Sequence, residues 1–135
     1  MQQSKDYFER EEIEKLTMLL KNLIEKVTGL SHAPTQTDID DINKTLEREF
    51  DISISQICEM NSEDLIQRFT KLDQAPADQL TKLLYQLAIK TNKSEYFDKK
   101  ILANKTCILI DTLNQSSGTF SMERMQMIDR LKQLN

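Results

Sequence analysis

The chain has 135 residues, 39% of them apolar and 30% charged, with a net charge of −4. That length suits one domain with one core, and the apolar content argues against disorder. Two glycines and two prolines are too few for the many turns of a sandwich or barrel, so the predicted fold class is all-α.

The first helix is predicted from about Ser4 to Thr28. Ile13, Leu16, Leu20, Leu23 and Val27 recur at steps of three and four, a heptad-like seam. Leu19 and Ile24 widen the stripe. Acidic residues crowd the first turns and Lys26 stands near the end, as the helix dipole favours. Gly29 is a natural stop. The stretch GLSHAPTQTD that follows holds the only histidine, His32, and one of the two prolines, Pro34. It is read as a join between helices, with Thr37 capping the second.

That second helix is predicted over about Asp38 to Phe50, burying Ile39, Ile42, Leu46 and Phe50. The run DISISQICEM, residues 51–60, fits a strand by its early alternation and a short helix by its Ile54, Ile57 and Cys58 face. No other segment offers a strand partner, so the helix is chosen, capped by Asp51 or Ser53. Asn61 or Ser62 caps the next helix, which carries Leu65, Ile66, Phe69 and Leu72. Pro76 opens a helix to about Thr91 with Leu80, Leu83, Leu84, Leu87 and Ala88 inward. Ser94 is expected to cap a long helix to about Asn114. Phe97, Ile101, Leu102, Ile108, Leu109 and Leu113 form its apolar face, with Ala103 and Ile110 at the sides. QSSGT is read as a plain loop. Ser121 caps the last helix. There Met122, Met125, Ile128, Leu131 and Leu134 are expected inward, with Phe120 packing on Met125 as a hydrophobic staple. The whole is a single helical domain over residues 1–135. A leading helix within residues 1–30 serves as an oligomerisation element, and residues 36–135 form helical hairpins. Six or seven antiparallel-packed helices joined by short loops make an array or bundle.

Few residues suggest chemistry. Two isolated glycines cannot build a phosphate loop. Cys58 and Cys107 stand far apart, and with one histidine they make no metal motif. They are read as buried free thiols, and catalysis with His32 is not expected. Asp38, Asp40 and Glu49 fall at calcium-loop positions, but Ile42 and Asn43 occupy places that need a ligand and a glycine. No cofactor or metal is expected, and the chain is read as no enzyme. No apolar run approaches the roughly 20 residues of a membrane helix, and the polar, acidic MQQSKDYFEREE is no signal peptide. A cytoplasmic protein without membrane contact is expected.

Charge is uneven along the chain: residues 1–34 carry net −1, residues 35–75 net −6 and residues 76–135 net +3. Lys90, Lys93, Lys99, Lys100 and Lys105 surround Tyr96 and Phe97. An accessory role on nucleic acid through Lys93, Lys99, Lys100 and Lys105 is therefore the alternative function. The acidic total makes nucleic acid the less favoured partner.

Residues 80–113, LTKLLYQLAIKTNKSEYFDKKILANKTCILIDTL, resemble a degenerate tetratricopeptide-like hairpin. Leu84, Tyr85 and Ala88 lie on its first helix, Tyr96 and Ala103 on its second. The tryptophan, glycine and closing proline of that repeat are missing. The whole chain resembles a family of uncharacterised bacterial helical proteins. In these a leading helix precedes a segment like FDISISQICEMNSEDL, a repeat-like hairpin and a final TFSMER helix. The resemblance implies a tetratricopeptide-like right-handed helical array and no known activity. The expected function is a non-catalytic protein–protein interaction module, homo-oligomeric or a homodimer, using the seam Ile13, Leu16, Leu20, Leu23 and Val27.

Overall fold

The computed structural model describes residues 2–92 and 95–134, with side chains described from Glu9 onward. The described residues form seven helices and no strand. They are α1 (Gln2–Thr28), α2 (Gln36–Phe50), α3 (Ile54–Glu59), α4 (Ser62–Thr70), α5 (Gln74–Lys90), α6 (Lys99–Ser117) and α7 (Met122–Lys132). The protein is all-α.

Side chains at the helix starts explain most boundaries. The second helix begins two residues earlier than expected because Thr35, not Thr37, caps it. Thr35 Oγ1 accepts from the Asp38 amide at 3.3 Å, and the Asp38 carboxylate accepts from the Thr35 amide at 2.9 Å, a reciprocal capping box. That amide holds the Asp38 carboxyl below its ordinary value. At the other end Asp51 takes a left-handed conformation (φ 55°) and its amide bonds back to Glu47.

The ambiguous run is helical from Ile54. Ser53 and Gln56 form a second capping box, and Asn43 Oδ1 of α2 accepts from the Ile54 amide at 2.9 Å. Asn61 caps α4 and Ser121 caps α7. The sixth helix corrects the expectation of a Ser94 cap. Residues 95–98 are not helical and Asp98 caps instead, accepting from the Ile101 amide at 3.1 Å. Ser94 itself lies outside the described residues. QSSGT is not wholly loop either, since α6 runs through Ser117 and ends on left-handed Gly118 (φ 66°).

The core is organised around α5 and α6. Helix α5 buries nine residues, among them every expected Leu and Ala, and packs on α1, α6 and α7. The consecutive helices α5 and α6 pack antiparallel. Ala77 near the start of α5 meets Leu113 near the end of α6 across a small cleft. The non-consecutive pair α1 and α5 instead runs parallel. Lys90, at the end of α5, donates to the carbonyls of Val27, Thr28 and Leu30 at 2.8–3.0 Å. Three carbonyls at the end of α1 thus gain a cationic donor, favoured by the helix dipole. Because α1 has 27 residues against 17 in α5, about 15 Å of it runs past the start of α5 at about 1.5 Å per residue.

Two stripes are rotated from expectation. In α6, Leu102, Ala103, Thr106, Leu109, Ile110 and Leu113 are buried, while Ile101 is exposed and Ile108 half-buried. Phe97 is buried from the loop before the helix. In α7 the buried residues are Arg124, Met127 and Leu131, whereas Met122 and Met125 face out. Ile128 and Leu134 pack at the edge of the core.

Candidate functional site

The start of α7 carries the largest apolar side chains left outside. Phe120 is 76% exposed, Met122 73% and Met125 42%. They fall within six residues, and Met122 and Met125, three apart, share a helix face. The expected staple does not take Phe120 out of water.

This exposure follows from what α7 buries instead. Arg124 Nε donates to Asn114 Oδ1 at 2.6 Å, and its other nitrogens reach Thr119 O at 3.2 Å and Asp78 Oδ1 at 3.5 Å. That clamp fixes the rotation of α7. With Arg124 inward, Met127 and Leu131 follow three and seven residues on. Arg130 stands over the Tyr85 ring at 5.9 Å to its centroid, a second tie to α5.

The leading helix is spent differently. Leu20 and Val27 are fully buried in the chain's own core, with Leu23 and Ile24 packed against it. Ile13 and Leu16 are half-buried. The five residues expected as one contact surface are therefore divided, and Leu20 and Val27 have no surface to offer a partner. From Glu9 onward the exposed face of α1 is mostly charged, with Asn22, Thr28 and the apolar Met18 the exceptions.

The lysines do not gather into one patch. Lys90 holds the end of α1, and Lys105 Nζ donates to the Met60 carbonyl at 2.5 Å, closing the end of α3. Both are structural donors. Lys99, Lys100 and Lys105 also point to different sides of α6, at about 100° per residue. Lys93 lies outside the described residues.

His32 is exposed, its Nδ1 2.8 Å from the Ala33 carbonyl oxygen. The two cysteines are half-buried rather than buried. Burial first, then the Asp98 carboxylate, pushes the Cys58 thiol up to about 11, and burial raises Cys107 too. Both are thiols rather than thiolates at neutral pH. Among the described residues no group of three His, Cys, Asp or Glu is placed to share a metal ion. Asp38 and Asp40, of the calcium-loop pattern, lie within α2, where Asp38 caps and Asp40 accepts from Gln36 at 2.8 Å. No described helix is long and apolar enough to cross a membrane.

No protein-family model, curated protein or solved structure matches the chain.

Proposed function

We propose that the chain is a non-catalytic helical interaction module that self-associates through the edge formed by Phe120, Met122 and Met125. The exposure of those three large apolar side chains within six residues carries the reading. Single exposed apolar residues need no explanation, but a cluster of this kind marks contact surfaces. Methionine suits such a role because its side chain adapts to the partner's shape. The unlike charges of residues 35–75 and 76–135 favour contact between copies by attraction.

A tetratricopeptide-like array fits the same reading. Of the positions that carry the resemblance, Leu84, Tyr85, Ala88 and Ala103 are buried, whereas Tyr96 is half-buried and lies in the loop before α6 rather than on it. Helix α7 returns beside α5 after the α5–α6 hairpin, and its open face is where a further helix of an array would pack. The α1 seam lies outside this edge, with Leu20 and Val27 fully buried and Leu23 packed on the chain's own core. Two unpaired thiols fit a reducing, cytoplasmic setting. A nucleic-acid role draws less support, since Lys90 and Lys105 are engaged with backbone carbonyls.

Light scattering over a concentration series tests the proposal. The wild-type chain should show a reversible rise in mass, and the triple variant Phe120→Ser, Met122→Ser, Met125→Ser should remain monomeric with unchanged helicity. Leu16→Glu and Leu23→Glu, on α1, should leave association in place. A wild-type chain that is monomeric throughout removes self-association.

A further inference from the structure

A cavity of about 420 Å³ opens between α1, the end of α2, and helices α3 to α6. Its floor is apolar, made by Leu16, Ile57, Leu65, Phe69, Leu80 and Leu109. All but Leu16 are buried. The cavity opens to solvent, and its volume lies in the range of small-molecule sites. Apolar walls offer water too few partners to order it there.

The mouth has a different chemistry. Residues 35–75 carry ten acidic and only four basic side chains, Lys44, Arg48, Arg68 and Lys71. Three of those four, Arg48, Arg68 and Lys71, stand at the cavity. The most acidic third of the chain therefore collects its cations at one opening. Two acids accompany them. Glu49 meets Arg48 at 3.1 Å, and Asp51 meets Arg68 at 3.5 Å. The cations still exceed the acids by one (three less two). Each guanidinium also keeps N–H groups beyond those contacts, in the fork that suits a carboxylate. Lys71 is exposed at the end of α4.

We propose that this cavity binds a single-tailed carboxylate amphiphile, its alkyl chain against the partly exposed Leu16, Phe50 and Leu72 and its carboxylate among Arg48, Arg68 and Lys71. Tail burial supplies the attraction, and the rim selects the charge of the head. The site is separate from the Phe120–Met125 edge, which does not line it.

Isothermal titration calorimetry of the full chain with decanoate, decanol and decylamine tests this. Decanoate should bind one to one, about tenfold or more tighter than the other two, the scale of one charge-assisted hydrogen bond. Methyl resonances of Leu16 and Leu72 should shift on binding. The double variant Arg48→Glu, Lys71→Glu changes exposed side chains only, so it should fold as the wild type, lose that preference and keep its affinity for decanol. The Phe120, Met122, Met125 triple variant should bind decanoate as the wild type does, which separates this site from the self-association surface. Absence of saturable decanoate binding overturns the proposal. So does equal binding of all three probes, an unchanged preference in the double variant, or binding only to anionic vesicles.

Discussion

Helices α1 and α7 both lie along α5, and they use their apolar side chains in opposite ways. Helix α1 puts its best-placed residues, Leu20 and Val27, wholly inside and leaves a mostly charged exposed face. Helix α7 buries an arginine, a methionine and a leucine while Phe120, Met122 and Met125 face out. A regular stripe is therefore no guide to which helix meets a partner. What decides is whether the same chain already covers it. On α1 the stripe is consumed within the fold, and on α7 much of the apolar surface is left over.

The contrast breaks most visibly under core truncation. Leu20→Ala removes a fully buried side chain at the α1–α5 seam and should cost about 2–5 kcal/mol. Urea denaturation measures it, and a cost near zero would mean that α1 does not dock as described. Arg124→Ala comes next. It takes away the donor to Asn114 and Thr119 and the cation beside Asp78, a loss of about 1.5–3 kcal/mol for hydrogen bonds from a charged group. Chemical shifts in α7 should then report a changed rotation, with Met122 and Met125 no longer held outward.

How much of this could be read in the sequence depends on whether the deciding contact was local. The Ser121 cap was legible, and the caps of α3 and α4 were narrowed to two candidates each, of which Ser53 and Asn61 prove right, because each side chain bonds an amide three residues on. The second helix offered a tie, since Thr35 and Thr37 each have an aspartate three residues later, and spacing could not separate them. In the sixth helix a local signal was available. Phe97 and Leu102 are both buried and flank the Asp98 cap at the spacing of a hydrophobic staple. The later part of the α7 stripe, Ile128, Leu131 and Leu134, was legible, but its first turn was not. Hydrophobicity places Met122 inward and Arg124 outward, and only Asn114, Thr119 and Asp78 reverse that order. The cations at the cavity mouth escaped for the same reason, being spread over residues 48–71 until the fold gathers them. Lys90 and Lys105 read as a basic cluster because their carbonyl partners lie 45 to 63 residues away.

Lys90 gives a smaller test of the α1 attachment. Lys90→Met keeps the length of the stem but removes three hydrogen bonds to the end of α1. Competition from water at this half-exposed site limits the cost to about 1–2 kcal/mol, within the range for a cation at a helix C-terminus. Hydrogen exchange should quicken in the last turn of α1 and remain unchanged in α7. Equal quickening in both helices would mean that they are not attached independently.

The smallest expected effect is the most informative about function. Phe120→Ser and Met122→Ser remove side chains already about three-quarters exposed, so the isolated chain loses little burial and its stability should move within about 0.5 kcal/mol. That holds only in dilute solution. If the edge meets a second copy, the wild type gains stability with concentration by mass action, and the serine variants do not. Melting temperatures over a concentration series therefore separate the two helices by different physics. Leu20→Ala should lower the curve at every concentration, whereas Met122→Ser should flatten its dependence on concentration. A parallel downward shift for Met122→Ser would place that methionine inside the monomer's core and return the contact surface to α1.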